Sequence, residues 1–353
     1  MPDRRVPFRF SGCYTAMVTP FDGGRAVDWP CLRSLVDFQK AQGISGIVPA
    51  GTTGESPTLT WDEHNKVIET VFDAAGSGTE TIAGTGSNST DEALEATRHV
   101  ANWGIKAALL VDPYYNGPSS LEIRREYYEP IAEAFPDIQL VPYVIPGRTG
   151  TQLLPQDLGI LSTNYPNVSG VKEATGNLDN ARLTRNYCGP NFSIISGDDD
   201  KTLSLMSDQA IACSGVISVI SNIAPKSVQA MVQAALRKDW QEAQRLATVL
   251  QPLFAVVTVK TEESTKYGPV PVRARNPLPV KTMMQVLGMT SGPCRSPLGR
   301  VTKGALDTML RSLRTVWTAN PEVLEPVERF FDVSVADRLH MPQYWENLTY
   351  AGY

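Results

Sequence analysis

The segment Val168-Ser169-Gly170-Val171-Lys172-Glu173-Ala174-Thr175 has the composition of a short buried β-strand that ends on a lysine. Burial disfavours the ammonium form of lysine and lowers its pKa. The neutral amine that results is a nucleophile, able to form a Schiff base with a ketone. The alternative is a lysine whose ammonium group extends from the end of the strand into solvent. The choice between the two depends on where this strand lies in the fold.

Apolar, β-branched runs of strand length recur along the chain, and helical patterns lie between them. The strand candidates are residues 14–19, 46–50, 81–84, 107–111, 139–144, 168–172, 192–196 and 215–220. The helix candidates are residues 29–42, 61–75, 90–103, 123–134, 153–164, 178–187 and 201–211. Buried strands that alternate with helices are typical of a parallel sheet. This pattern predicts an α/β fold with a (β/α)8 TIM barrel, and a doubly wound open sheet is the alternative.

Polar loops follow the predicted strands at their carboxyl ends. Thr52 follows the second strand, Tyr115 the fourth and Arg148 the fifth, while Tyr143 lies at the end of the fifth strand. In a barrel these loops converge on one face, where catalytic groups collect. We therefore expect Lys172 to share the mouth of the barrel with these side chains, which favours the nucleophilic interpretation.

The alternation of strands and helices ends after residue 224, so three parts are expected. Residues 1–224 form the catalytic barrel, 225–319 a C-terminal helical domain, and 320–353 an extension. Within the second part, residues 260–279 are rich in proline, glycine and charge, which predicts an irregular loop. The extension is expected to pack on the barrel or on a neighbouring subunit through its aromatic residues, Phe330, Phe331, Tyr344, Trp345, Tyr350 and Tyr353.

Composition indicates a cytoplasmic enzyme. A net charge of −5 and a pI near 5.4, without a basic stripe, argue against a nucleic-acid partner. No apolar run approaches the ~18 residues of a membrane span, and residues 1–7 lack the apolar core of a signal peptide. The five cysteines are scattered and form no CxxC pair, which favours reduced thiols.

Two polar motifs resemble ligand sites, but only the first one favours a ligand. Gly51-Thr52-Thr53-Gly54-Glu55 lacks the GK[ST] of a phosphate loop, and its hydroxyls and amides suit a small carboxylate, with an ordinary capped turn as the alternative. Asp198-Asp199-Asp200 lacks the spacing of a calcium loop, so we expect a helix N-cap and an acidic first turn. No metal site is predicted, because His64, His99 and His340 show no ligand spacing.

The remaining candidates fit an aldol-type reaction. Carbinolamine formation, dehydration and C–C bond formation each move a proton, which the phenols of Tyr114, Tyr115 and Tyr143 and a threonine hydroxyl can relay. Arg148 offers a bidentate clamp for a carboxylate, and a surface arginine in a turn is the alternative. We therefore expect a keto acid held by Lys172 and a second, carboxylate-bearing substrate.

Several segments between residues 12 and 290 together form a specific signature. They are Gly51-Thr-Thr-Gly-Glu-Ser56, Ala83-Gly-Thr-Gly86, Pro113-Tyr-Tyr-Asn116, Tyr143-x-x-Pro-x-Arg-Thr-Gly150, Gly170-Val-Lys-Glu-Ala-Thr-Gly-Asn177, Ser196-Gly-Asp-Asp199, Gly215-Val-Ile-Ser-Val219 and Asn276-Pro-Leu-Pro-Val-Lys281. In these segments the chain resembles the class I aldolase family of dihydrodipicolinate synthase and N-acetylneuraminate lyase.

The resemblance implies a lyase that condenses pyruvate with L-aspartate 4-semialdehyde to 4-hydroxy-tetrahydrodipicolinate, in lysine and diaminopimelate biosynthesis. Lys172 would form the Schiff base, and Tyr143 would transfer protons through Thr52 to Tyr115, which a neighbouring subunit lends. No cofactor is implied beyond the covalent Schiff base with pyruvate. A homotetramer built as a dimer of dimers is also implied.

Substrate-binding positions follow from the same resemblance. Thr53 would hold the pyruvate carboxylate, with Gly197 and the Ile217 carbonyl facing the site, and Arg148 would bind the carboxylate of the aldehyde. The sugar-acid lyases of the family usually lack this arginine, which ranks the synthase first. The alternatives are a pyruvate-dependent lyase or hydratase-aldolase that acts on another 2-keto acid or aldehyde, and a barrel that binds a metabolite without catalysis.

A feedback site for lysine is also implied, and an ordinary subunit interface is its alternative. The chain departs from the family at Val144, where asparagine is common, at Gly117, where arginine is frequent, in the longer loop 260–279 and in the extension. These departures bear on the second substrate more than on the Schiff base. The residues of the implied lysine site are Ser56, Pro57, Trp61, His64, Asn88, Glu92 and Tyr114.

Overall fold

The structure of the chain is a computed structural model, and it describes residues 9–352. The amino-terminal residues that lack a signal-peptide pattern, and Tyr353 of the extension, lie outside the described residues. Within residues 9–352, no helix is long and apolar enough to cross a membrane. All five cysteines are free thiols.

Eight parallel strands form a closed barrel in the order β1 to β8. Strand β1 pairs with both β2 and β8, which closes the sheet and excludes the open doubly wound alternative. The predicted barrel is therefore confirmed, and each predicted strand is present. The strands are β1 Gly12–Ala16, β2 Gly46–Val48, β3 Glu80–Gly84, β4 Ala107–Val111, β5 Gln139–Val144, β6 Gly170–Glu173, β7 Ser193–Ser196 and β8 Gly215–Ser218.

Helices follow each strand and then continue beyond the barrel. Those up to β8 are α1 Trp29–Ala41, α2 Trp61–Ala75, α3 Thr90–Asn102, α4 Ser120–Glu122, α5 Glu129–Ala134, α6 Pro146–Thr149, α7 Pro155–Asn164, α8 Leu178–Cys188 and α9 Thr202–Ser207. A π-helical segment, Ile123–Tyr128, joins α4 to α5. The later helices are α10 Pro225–Leu236, α11 Trp240–Phe254, α12 Leu278–Val286, α13 Lys303–Ala319, α14 Glu325–Phe331 and α15 Val335–His340.

Local sequence explains where the helices begin. Thr60 and Glu63 form a capping box at the start of α2, in which each side chain bonds the other residue's backbone N–H. Ser89, at the N-cap position of α3, makes no side-chain cap bond. Core packing occurs in two layers, one between the strands and the helices and a smaller one that includes Tyr14, Val141 and Ile217. The smaller layer fills the interior of the barrel, as is usual in this fold.

The expectation of an irregular loop at residues 260–279 is wrong. Most of this stretch forms an antiparallel hairpin, β9 Thr258–Thr265 and β10 Gly268–Arg275. Pro269 and Pro271 are tolerated because each strand of a two-stranded ribbon has a free edge, where a missing N–H breaks no pairing. The sequence signal for these strands is the alternation of apolar and charged residues: Val259 and Ala274 are buried, whereas Arg273 is exposed.

The last helices and the tail pack on both preceding parts. The rings of Phe330 and Phe331 lie 5.3 and 5.2 Å from the ring of Phe38 on α1. Arg338 donates from Nε to the carbonyl of Val286 at the end of α12, at 2.8 Å. Aromatic and guanidinium groups of the tail are thus partly removed from water by these contacts.

Candidate active site

Lys172 and Tyr143 are direct partners in the register of β5 and β6. Both are buried, and the lysine Nζ lies 4.1 Å from the centroid of the tyrosine ring. Burial lowers the pKa of Lys172 to about 8, while nearby Asp198 and Asp199 oppose that shift. The lysine is thus not extended into solvent, and a substantial fraction of it is neutral near physiological pH.

Burial also raises the pKa of Tyr143, to about 12. The positive charge of Arg148 and a hydrogen bond with the Thr52 hydroxyl both oppose this rise. The phenol therefore carries its proton at neutral pH. Its ring lies beside the Lys172 amine, and its hydroxyl is hydrogen-bonded with Thr52.

The acidic run after β7 lies where it was predicted, at the N-cap and in the first turn of a helical segment, and it has a further role in the site. Asp198 occupies the N-cap position of a short 3-10 turn but makes no side-chain cap bond. The carboxylate of Asp199 accepts hydrogen bonds from the Ser218 hydroxyl and from the backbone N–H groups of Val219, at 2.9 Å, and Ile220, at 3.2 Å. It therefore fixes the loop after β8, and both aspartates add negative potential at Lys172.

Gly197 leaves room for the lysine side chain. A Cβ atom at this position would lie 3.2 Å from Cε of Lys172 and 2.6 Å from Cβ of Ala174. The backbone N–H of Gly197 donates to the carbonyl of Glu173 at 2.7 Å, which fixes this close approach. Ile217, on the neighbouring strand β8, is fully buried in the barrel interior.

The threonine loop, residues 51–55, is tied to the segment that precedes α12. Asn276 donates from Nδ2 to the Thr53 hydroxyl at 2.9 Å, and both residues are buried. Glu55, at the end of the loop, accepts from the fully buried Lys281 at 2.5 Å and from the backbone N–H of Arg295 at 2.9 Å. The C-terminal segment thus fixes a loop that borders Tyr143.

Arg148 is held at the edge of the site by the same segment. One Nη atom donates to the Asn276 carbonyl at 2.9 Å, which leaves the other N–H groups of the guanidinium for a ligand. Arg275, at the end of β10, donates to the carbonyl of Gly147 at 3.3 Å. Two guanidinium groups from distant parts of the sequence are therefore neighbours at the mouth.

Tyr115 does not enter the site of its own chain. Its side chain is 90% exposed, and its backbone has a φ of +77°, in the left-handed region that is unfavourable for tyrosine. Tyr114, in contrast, is half-buried and lines a cavity that adjoins the site. An exposed aromatic side chain held in a strained backbone conformation is suited to contact another molecule.

A cavity of about 440 Å³ extends from the site toward α2 and α3. Thr52, Tyr143 and Arg148 line one part of it. Asn88 of the expected lysine site does not line the cavity. The other part of the cavity is lined by Ser87 and by the remaining residues of that site: Ser56, Pro57, Trp61, His64, Glu92 and Tyr114.

His64 is the most unusual residue in that second part. It is buried, and among residues 9–352 neither ring nitrogen makes a hydrogen bond of normal geometry, although the Gly84 backbone and the Asn65 side chain lie close to the ring. Burial lowers its pKa to about 4, so the ring is neutral at physiological pH. Its ring centroid lies 5.0 Å from that of Trp61, and the nearby Glu92 accepts from the Ser87 hydroxyl.

Three features of the site were missed by the reasoning from sequence. For Asn276 and Lys281, the sequence indicates only a family resemblance and no role in the site. A lysine within an apolar helix is nevertheless a signal of a buried ion pair. The arginines of β10 were assigned to a loop. Among residues 9–352, no group of three His, Cys, Asp or Glu side chains is placed to hold a metal ion.

A sequence profile of the dihydrodipicolinate synthetase family matches residues 9–315. The chain belongs to this family. The family resemblance seen in the motifs around Lys172 is therefore confirmed, and it extends past the barrel into α13.

Members of the dihydrodipicolinate synthetase family from distant organisms match most of the chain. The 4-hydroxy-tetrahydrodipicolinate synthase of Prochlorococcus marinus is 40% identical over 315 residues, which cover 88% of this chain and 97% of the relative. The synthase of Methanothrix thermoacetophila is 41% identical over 290 residues, or 82% and 91% of the two chains. A crystal structure of the enzyme from Cyanidioschyzon merolae with lysine bound superposes with a TM-score of 0.79 at 35% identity, covering 87% of this chain and 98% of that one.

Proposed function

We propose that this protein is a 4-hydroxy-tetrahydrodipicolinate synthase, which condenses pyruvate with L-aspartate 4-semialdehyde in lysine and diaminopimelate biosynthesis. The observation that carries the proposal is the buried amine of Lys172, 4.1 Å from the ring of Tyr143. The names of the relatives, which align over nearly their whole length, support the same activity.

Schiff-base formation begins with attack of the neutral Lys172 amine on the C2 carbonyl of pyruvate. With a pKa of about 8, roughly a tenth of the amine is neutral at pH 7, far more than for an ordinary lysine. The Tyr143 phenol protonates the departing oxygen, so that water leaves the carbinolamine and the imine forms. Thr52 is the hydrogen-bond partner through which the phenol is reprotonated.

Carbon–carbon bond formation follows from the imine. A proton passes from the pyruvate methyl group to the Tyr143–Thr52 pair, which gives an enamine whose C3 attacks the aldehyde carbon of the second substrate. The same pair returns a proton to the aldehyde oxygen, which becomes the 4-hydroxyl group. The amino group of the second substrate then attacks C2, which closes the ring and releases the lysine amine.

The two carboxylates have separate binding groups in this scheme. Thr53, buried and bonded to Asn276, lies in the threonine loop that binds the pyruvate carboxylate, with Gly197 and the Ile217 carbonyl facing the same substrate. Arg148 binds the carboxylate of the aldehyde with the N–H groups that Asn276 does not use. Because Thr53 and Arg148 bind different carboxylates, each substrate is held in the position that the reaction requires.

The proposal includes the setting of the enzyme. The chemistry needs no cofactor, because the covalent imine on Lys172 is the electron sink. Subunits assemble as a dimer of dimers, in which the exposed Tyr115 enters the partner's site. The enzyme acts in the cytoplasm, with no nucleic-acid or membrane partner.

Borohydride trapping tests the chemistry directly. Reduction in the presence of pyruvate should attach the pyruvate skeleton to Lys172, as detected by mass spectrometry of peptides. Lys172→Ala should give no adduct, whereas Lys201→Ala, a matched change at an exposed lysine in the next loop, should label normally. An adduct on another lysine, or none in the wild type, would refute the mechanism.

Competition between aldehydes tests the second substrate. Turnover of aspartate semialdehyde should exceed that of sugar-acid and aromatic aldehydes, and Arg148→Ala should reduce it sharply. A preference for another aldehyde, with pyruvate labelling intact, would make the enzyme a lyase or hydratase-aldolase of the same family instead.

Lysine inhibition is the regulatory part of the proposal. The cavity beside the site offers the Glu92 carboxylate and the Trp61 ring, and the unpartnered nitrogens of His64 can bond a ligand. The solved relative with lysine bound supports lysine as a ligand of this chain. Lysine should inhibit the wild type, and Glu92→Gln should raise the inhibition constant, whereas Glu95→Gln on the same helix should not. Equal inhibition of wild type and Glu92→Gln would place any lysine site elsewhere.

A further inference from the structure

The hairpin β9–β10 places positive charge at the mouth of the barrel. Arg273 and Arg275 are two residues apart on β10, so their side chains project from the same face of the ribbon. Lys260 of β9 is the direct partner of Arg273 in the register and therefore shares that face. The opposite face carries Val259 and Ala274, which are buried, and it packs toward α13.

This charged face borders Arg148. Arg275 donates to the carbonyl of Gly147, the residue next to Arg148, and Arg148 in turn donates to the carbonyl of Asn276, the residue next to Arg275. Each arginine thus hydrogen-bonds the backbone of the residue next to the other arginine. These two bonds fix both guanidinium groups at one edge of the site. The positive charge of Arg273 also acts on Arg148.

One carboxylate, that of Glu262 on β9, shares this face of the hairpin, so the cationic group is partly balanced but not paired. Within residues 9–352, no carboxylate forms an ion pair with Arg148, Arg273, Arg275 or Lys260. Asp198 is the acidic group whose negative charge acts on Arg148. Unpaired guanidinium groups held close together repel one another, which an anionic ligand relieves.

We propose that Arg275 and Arg273 form, together with Arg148, an anion-binding subsite that receives the carboxylate of the aldehyde substrate. This inference rests on the proposed function, since it assigns the hairpin to the second substrate of that reaction. Arg275 would contact the carboxylate beside Arg148, and the more exposed Arg273 would attract it as it enters. The hairpin would then determine affinity for the aldehyde and leave pyruvate binding unchanged.

The test uses a stable analogue on an enzyme that cannot turn over. Pyruvate is first reduced onto Lys172 with borohydride, and L-homoserine, which carries an alcohol where the substrate has its aldehyde, is titrated by calorimetry. The dissociation constant should rise about tenfold for Arg275→Gln, since a charge-assisted hydrogen bond is lost, and less for Arg273→Gln. Arg275→Lys should recover part of the affinity.

Three controls make the result specific. Lys266→Gln, at the turn of the hairpin, should bind L-homoserine as the wild type does, and L-homoserine amide, which has no carboxylate, should not distinguish the variants. In turnover, Arg275→Gln should raise KM for the aldehyde about tenfold with KM for pyruvate unchanged. Circular dichroism checks that each variant is folded. If Arg275→Gln does not fold, Arg273→Gln still tests the subsite, because Arg273 is exposed.

Each remaining outcome has one meaning. If no adduct forms on Lys172, the proposed function fails before the subsite is tested. If the adduct forms but the wild type turns over another aldehyde in place of aspartate semialdehyde, the proposed second substrate fails. If the wild type turns over aspartate semialdehyde but does not bind L-homoserine, or Arg275→Gln and Arg273→Gln bind L-homoserine as the wild type does, the subsite is refuted and the proposed function stands.

Discussion

Lys281 of α12 and Glu55 of the threonine loop form an ion pair of 2.5 Å in which both side chains are fully buried. The pair connects residues that are 226 positions apart, and it lies directly behind the loop that carries Thr52 and Thr53. Lys281 also donates to the carbonyl of Thr19 at 2.9 Å and lies over the ring of Phe21. This contact attaches the C-terminal segment to the carboxyl end of the barrel.

Lys281→Met should therefore destabilise the protein strongly. It leaves the Glu55 carboxylate buried without a counter-charge, which lowers the free energy of unfolding by about 3–5 kcal/mol. The measurement is urea unfolding followed by circular dichroism. The double variant Glu55→Gln/Lys281→Met should recover part of the loss, because no unpaired charge remains.

Arg329→Met provides the matched control for the buried pair. Arg329 and Glu325 form an exposed ion pair on α14. Removing this pair should change the free energy of unfolding by less than about 1 kcal/mol. A similar loss in both single variants would mean that burial of the Glu55–Lys281 pair has no energetic consequence.

The rate of Schiff-base formation should rise with pH and level off above about pH 8. The sign follows from the lowered pKa of Lys172: the reactive neutral amine is the minor form below about 8 and the major form above it. Asp198 raises this pKa, so Asp198→Asn should move the midpoint to lower pH, by up to about one unit. Stopped-flow trapping with pyruvate gives the profile, and Asp200→Asn is the control. A shift to higher pH would contradict the assigned electrostatics.

Gly197→Ala should impair both stability and Schiff-base formation. The added methyl group would meet Cε of Lys172 and Cβ of Ala174, so that one of the three must move. Overpacking of this kind lowers stability by about 1–3 kcal/mol and displaces the reacting amine. Thermal unfolding and the trapping rate measure the two effects. Gly78→Ala, where nothing lies within 4 Å of the added atom, should be nearly neutral.

Tyr115 should act in the site of a neighbouring subunit. Tyr115→Phe and Lys172→Ala should each be nearly inactive alone, because every site in either homo-oligomer lacks one group. Mixed subunits should regain activity, up to about a quarter of the wild-type value, since each mixed pair contains one site with both groups. Unfolding, mixing and refolding followed by a turnover assay measures this. Failure to regain activity would place Tyr115 outside the partner's site.

The sequence by itself determined the barrel and the position of the reacting lysine. Period and length of the apolar runs distinguish eight buried strands from helices, and a strand end beside polar loops identifies the carboxyl face. These are local properties, because each strand and helix is specified by residues within a few positions of each other. The motif Gly170-Val171-Lys172 could thus be assigned to the sixth strand before any contact was known.

Tertiary structure alone decided which distant residues meet at the site. The bond from Asn276 to Thr53 and the pair of Lys281 with Glu55 join segments more than 220 residues apart, and no local pattern encodes their approach. The hairpin was hidden because proline and charge suit a loop as well as a free-edged ribbon. The lowered pKa of Lys172 likewise arises from the summed burial and charge around it, which exist only once the chain has folded.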